Sequence, residues 1–323
     1  MRFNKSKPYE KASIVSGITT RPAFMSSIED NKIRRKPNEA MVTIETLSEA
    51  KNRRIVWEWS GNYTQSVLED IRLGIANWPL WVRLGWQDVM LRYRRSMLGP
   101  FWLTISMGVM VFALGYVYGG LFGMDVQRYL PYLTVGFLVW GLITSVANEG
   151  CQVFIEGEGI IRQIDLPLSM LSLRVTWRNL IIFLHNAVIY FVVAIMFDVE
   201  PGWVLLMAIP GLLILIINAL WAVTLLGMLS ARFRDLPQIV SSILQIAFFI
   251  TPIIWMPEAA SVKRPLLIDV NPFYHLIELM RAPMLGDFPT LANWYVVLGI
   301  TLFGWLSTLL FFRRFHCRIA YWI

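Results

Sequence analysis

Residues 203–230 read WVLLMAIPGLLILIINALWAVTLLGMLS and contain no Asp, Glu, Lys or Arg. As an α-helix rising about 1.5 Å per residue, the run would be roughly 40 Å long, enough to cross the roughly 30 Å hydrocarbon core of a bilayer while tilted. A helix on the surface of a soluble domain keeps a polar face, and this one has none. Lipid offers backbone groups no hydrogen bonds, so a spanning segment satisfies them within itself, as a helix does. This stretch sets the fold class.

Five more charge-free runs flank it: Phe101–Gly123, Pro131–Asn148, Leu180–Phe197, Ile239–Trp255 and Ala292–Phe312. Together they predict an all-α membrane protein with six transmembrane helices, the opening run being the fourth. Composition agrees. The 323-residue chain is 56% hydrophobic and 16% charged, with a mean hydropathy of +0.54, against roughly 25% charged residues in soluble domains. Cys151 and Cys317 form neither a metal-binding nor a disulfide spacing.

The net charge of +7 is a topology signal rather than a nucleic-acid footprint, because most Lys and Arg precede the first span. With both termini in the cytoplasm, the inner segments hold Arg92, Arg94 and Arg95, then Arg162, Arg174 and Arg178, then Arg232 and Arg234, then Arg313, Arg314 and Arg318. The outer segments hold only Arg128, Lys263, Arg264 and Arg281. This asymmetry fits the positive-inside rule. The N-terminus, MRFNKSKPYEK, lacks the apolar core of a secretory signal. Residues 1–75 are expected to form a cytoplasmic extension, largely disordered, with IRRK at 33–36 as a solvated basic cluster.

Three elements do not span. Pro79–Arg95, PLWVRLGWQDVMLRYRR, places Val82, Trp86, Val89 and Tyr93 on one helical stripe, and it runs straight into the first span. An amphipathic interface helix is predicted over 79–96, with 97–323 forming the six-span transmembrane domain. Gly150–Asn179 is longer than a simple helix connection and is the best docking element for a partner. Met256–Thr290 is half apolar, broken by Pro272 and Pro283, and predicts outer re-entrant helices between spans five and six. It either lines the outer mouth of a pathway or caps the bundle.

The chain contains no G-x-x-x-x-G-K-[ST] loop, no H-E-x-x-H and no G-x-S-x-G, so it is neither the ATPase nor a recognisable hydrolase. No metal site is expected. His185 in span three reads as a helix–helix hydrogen bonder. No acidic group sits in a span, which removes the usual handle for ion coupling. Energy for transport would have to come from another subunit.

RYRRSMLGPFWLTIS at 92–106, ARFRDLPQIV at 231–240, FFITPIIW at 248–255 and NPFYHLIELMRAPML at 271–285 fall in the order seen in type-2 ABC exporter permeases. The chain resembles the members of that family that export O-antigen, capsular polysaccharide or teichoic acid, over about residues 79–323. The resemblance implies a homodimeric permease in the cytoplasmic (inner) membrane, bound to two copies of a P-loop ATPase that carries ATP and Mg. This chain itself would hold no cofactor and catalyse nothing. The substrate would be a lipid-linked polysaccharide, with a periplasmic adaptor as a further potential partner. The resemblance also implies a coupling helix after span two, at Glu156, Gly157, Glu158, Gly159, Ile160, Ile161 and Arg162. Trp86, Arg92, Tyr93, Arg94 and Arg95 would form the interface helix and inner gate.

A sliding glycan presents apolar C–H faces that aromatic rings hold weakly. Phe112, Tyr116, Tyr118, Phe248, Phe249 and Tyr274 are the channel candidates on those grounds. The alternatives are a type-2 ABC permease for another lipid or a drug, a secondary transporter or channel, and a membrane-embedded glycan transferase. The last would draw on Glu149, Glu156, Glu158 and Asp165 as acid–base groups.

Overall fold

The computed structural model describes residues 63–92, 94, 101–163, 166–257 and 268–323. The chain divides into two units at Ser60/Gly61, and all described residues belong to the second. The expected disorder of residues 1–62 and the basic cluster at 33–36 lie outside the described residues.

Every regular element among the described residues is helical. In chain order the helices are α1 (Tyr63–Ala76), α2 (Trp78–Arg92), α3 (Phe101–Phe122), α4 (Val126–Glu156), α5 (Glu158–Gln163), α6 (Leu168–Met196), α7 (Ala208–Arg232), α8 (Leu236–Ile250), α9 (Pro272–Leu285), α10 (Leu291–Phe315) and α11 (Ile319–Trp322). Short 3₁₀ turns at Gly202–Met207 and His316–Arg318 precede α7 and α11. Five helices are long and apolar enough to cross a membrane: α3, α4, α6, α7 with its leading turn, and α10.

The fifth apolar run behaves differently. Helix α8 has 15 residues, roughly 22 Å of helix, short of the roughly 30 Å hydrocarbon core. It stops because Pro252 follows Thr251. A residue before proline is pushed out of the helical region, and Thr251 is extended at φ −78°, ψ 135°. Residues 251–255 continue as irregular chain.

Helix α4 is the centre of the bundle. Two thirds of its most apolar stretch is buried, against less than two fifths for any other spanning helix. It packs against α3, α6, α7, α8 and α9. Asp125 caps its start by accepting from the Gln127 backbone N–H at 3.1 Å. Its far end runs on to Glu156, and α6 begins at Leu168. The long loop expected over Gly150–Asn179 is therefore mostly helix. Only residues 157–167, with α5 among them, connect the two.

Helix α1 falls within the extension expected to run to residue 75, which is corrected: residues 63–76 are helical and packed on α6 and α10. The buried Asp70 carboxylate accepts from the backbone N–H of Leu168 at 2.8 Å and of Ser169 at 3.0 Å. It satisfies two of the donors left open at the start of α6, where negative charge is favoured. The Ser169 hydroxyl donates back to the Asp70 carbonyl at 2.8 Å.

Close approach of α9 to α4 needs a bare backbone at Gly136, because a Cβ there would collide with Nη2 of the buried Arg281. Gly136→Ala should destabilise the protein by about 1–3 kcal/mol through overpacking, read as a lower melting temperature in detergent. Gly141→Ala on the same helix, where a Cβ meets nothing, should leave it unchanged.

Candidate functional site

At the C-terminal end of α4, α2 lies against α6. Gly85 allows the approach, since a Cβ there would sit 2.9 Å from the Trp177 ring and 3.1 Å from the Arg174 carbonyl. Trp81 meets Trp177 edge-on at 6.1 Å. Gly85 and Val89 are the buried positions on α2, whereas Trp86 is half exposed. The side of α2 that faces the protein is thus rotated from the apolar Val82, Trp86 and Val89 line toward Trp81, Gly85, Asp88 and Val89.

That rotation turns Asp88 inward. Arg174 donates to it through Nε at 2.8 Å and Nη2 at 2.5 Å. Arg178 donates to Asp88 at 3.2 Å and, through its other face, to Glu149 of α4 at 2.8 and 3.1 Å. Asn179 donates to Glu149 at 2.6 Å, and Arg92 also donates to Glu149, at 2.9 Å. Two carboxylates and three guanidiniums so join α2, α4 and α6 with charge-assisted, partly bidentate bonds, the strong kind. Sequence reading took Glu149 as a potential acid–base group and Arg174 and Arg178 as topology markers; it did not single out Asp88. Of the gate residues, Arg92 is in this network, Arg94 is exposed, and Tyr93 and Arg95 lie outside the described residues.

Helix α5 follows Gly157 directly. Glu158 pairs with Arg162 at 3.0 Å along its length, and Arg162 also donates to the Ile323 carbonyl. Glu156, Gly159 and Arg162 are exposed, Ile160 and Ile161 half-buried, and Gly157 buried. Ile161 packs against the core. Arg234 donates to the Trp322 carbonyl at 3.2 Å, and Arg232 stacks on the Trp322 ring at 5.3 Å. The segment 316–323 therefore ties α5 to the α7–α8 junction. Glu149 and Glu158 are held by cations, which makes them structural anions; Asp165 lies outside the described residues.

The channel candidates separate into four groups. Tyr116 on α3 and Phe249 on α8 point out of the bundle, 83% and 66% exposed. Phe112 packs against the Val111, Leu130 and Val193 cluster, and Phe248 against Phe137 at 5.6 Å and Trp140 at 5.8 Å, so both are packing residues. Tyr118 is half-buried. Tyr274 lines a cavity at the opposite end of α4 from α5. Thr104 of α3 donates to the His185 carbonyl at 3.2 Å, and the His185 ring is bonded to Ile181 of its own helix.

The irregular chain after α8 shapes that N-terminal end of α4. Tyr132 donates to the Pro252 carbonyl at 2.9 Å and Tyr129 to the Ile254 carbonyl at 2.5 Å. Arg281, 1% exposed, donates to the Pro252 carbonyl at 3.0 Å and to Glu278 at 2.9 Å, with its guanidinium 3.9 Å from the centre of the Tyr132 ring. Asn271 caps α9, accepting from Phe273 at 3.0 Å, and donates to Thr251 at 2.9 Å. Between these elements and the start of α10 is a cavity of about 520 Å³. Burial, with Glu278 adding to it, pushes the Tyr274 hydroxyl up to about 12, so it stays protonated.

Residues 79–285 match the family described as ABC-2 type transporter. The chain is similar to the O-antigen export system permease protein RfbA of Myxococcus xanthus, 25% identical over 214 residues, covering 63% of this chain and 79% of that protein. It is also similar to a protein of that name from Klebsiella pneumoniae, 23% identical over 192 residues, covering 59% and 74% respectively.

The inner charge network makes a direct prediction. Asp88→Ala should cost about 3 kcal/mol, because it strands the mostly buried Arg174 and takes one of two carboxylate partners from Arg178. Adding Arg174→Ala should cost less than the two single losses combined, as contacting residues couple. Thermal unfolding of the four proteins in the cycle measures this. Strict additivity would show Asp88 and Arg174 to be energetically independent.

Proposed function

The chain belongs to the ABC-2 type transporter family, and from that premise we propose that it is the transmembrane subunit of an ATP-driven exporter of a lipid-linked, O-antigen-type polysaccharide. The observation that carries this reading is the match across residues 79–285, joined to relatives whose name is that of an O-antigen export permease. In this reading the protein sits in the inner membrane with both termini cytoplasmic. It pairs with a second copy, and two partner ATPases carry ATP and Mg. Helix α8 and residues 251–255 together complete a sixth crossing, and α9 is a re-entrant helix at the outer surface.

The mechanism follows from how the elements are joined. ATP binding would close the partner ATPases and move α5, which continues from α4 through Gly157. Helix α4 carries Glu149, so its displacement passes through Arg178 to Asp88 and draws α2 with α6. The same helix carries Tyr129 and Tyr132 to the outer end, where they hold the carbonyls that follow α8. One push on α5 thereby reaches both ends of the pathway. Exposed Tyr116 and Phe249 give the glycan weak, sequence-tolerant stacking surfaces between two copies of the chain.

Deleting the chain from its host should leave the lipid-linked glycan on the cytoplasmic side, and the wild-type chain should restore export. Glu158→Arg combined with Arg162→Glu keeps an i,i+4 pair but inverts the charges α5 displays. It should abolish export and co-purification of the ATPase while the permease accumulates normally. Export at wild-type level by this variant would remove α5 from the coupling contact.

Tyr116→Ala with Phe249→Ala removes two exposed rings and should lower export several-fold with ATPase binding intact. Full export by that double variant would take both rings out of the pathway. Surface glycan, detected by gel staining of outer-membrane extracts, is the readout in each case.

A further inference from the structure

The geometry points to the outer cavity as a glycan-binding subsite within each copy of the chain, separate from the exposed aromatic surfaces of α3 and α8. This rests on the transport reading above and adds a place where the emerging sugar chain is held.

The cavity's size, about 520 Å³, falls in the roughly 300–1,000 Å³ range of small-molecule sites. It is walled by the start of α4, residues 256–257, α9 and the entry to α10. Its charges balance, with Arg128 and Arg281 set against Glu278 and Asp287. Balanced charge gives a polyanion no net attraction, and the charged lining is unsuited to an acyl tail. A sugar hydroxyl both donates and accepts, so alternating guanidinium and carboxylate groups suit a polyol. Tyr274 and Phe288 also line the cavity and bring flat apolar surface for C–H faces.

A second observation is independent of the lining. Arg281 borders the cavity and is almost completely buried, yet its Nε and Nη2 have no hydrogen-bond partner among the described residues. Buried donors are nearly always satisfied. Glu278 and the Pro252 carbonyl share Nη1, so they leave those two nitrogens unused. A ligand entering beside Tyr274 meets the Glu278 carboxylate, 15% exposed, and reaches Arg281 only through it, since Nη2 is packed against Gly136 of α4.

The test uses the intact chain with its partner ATPases in spheroplasts. Gln127→Cys places a thiol at the cavity wall, where the side chain is exposed, and the wild-type chain supplies the background from Cys151 and Cys317. An impermeant maleimide is added from outside, in a host that makes the glycan and in one that cannot. Labelling of Gln127→Cys should be several-fold slower while glycan is being exported, and Glu278→Gln should remove that protection.

Equal labelling with and without glycan, in a host whose export depends on this chain, overturns the subsite and leaves a hydrated cavity only. Protection that survives Glu278→Gln in full overturns the assignment of that carboxylate to the ligand, and the subsite as drawn. Equal labelling in a host that exports normally without the chain overturns the transport reading, and the subsite with it.

Discussion

Three backbone carbonyls, those of Pro252, Ile254 and Trp255, set the terms for the outer half of this protein. A chain that leaves helical geometry within a membrane-spanning bundle must find donors for every carbonyl it frees, because lipid supplies none. Here the donors come from α4 and α9: Tyr129, Tyr132 and Arg281. That requirement fixes where α8 ends, how α9 lies on α4, and why Gly136 must lack a side chain. The same break brings Met256 and Pro257 to the cavity wall.

The inner half depends on a different balance. Asp88, Glu149, Arg92, Arg174 and Arg178 are brought together from three helices. Desolvating such groups is costly, and their mutual attraction offsets that cost only when each has its partners. A network of this kind contributes little net stability compared with an apolar replacement. It does specify one register of α2 on α6, because a rotation of α2 would remove Asp88 from two guanidiniums at once. Helices α2, α4 and α6 therefore move together or separate at high cost, which is what a transmitting element requires.

Much of the architecture could be read from the sequence because apolar runs without charge have one solution in lipid. The five long helices lie where the runs placed them, and Asn271 followed by Pro272 marks the start of α9 in plain residue chemistry. The protein-facing side of α2 was not legible, because periodicity weighs hydrophobicity alone and picks out the Val82, Trp86, Val89 and Tyr93 line. Asp88 defines the buried side only because Arg174 and Arg178 stand opposite, 86 and 90 residues away. A single sequence does not reveal such pairings. Arg281 was counted as an outer charge, whereas its ring partner Tyr132 and its carbonyl partner at Pro252 take it out of water. Phe112 and Phe248 share the composition of exposed Tyr116 and Phe249, and only packing separates the two pairs.

The cap on α6 has a consequence for the order of assembly. Asp70 is synthesised 98 residues before Leu168, the first backbone group it serves. Both α3 and α4 must leave the ribosome, and the start of α6 must follow, before α1 has anything to hold. Until then a carboxylate destined for burial stays solvated beside the growing bundle. The first bond of α1 thus waits for α3, α4 and the start of α6, and its full seating waits for α10, the last spanning helix made.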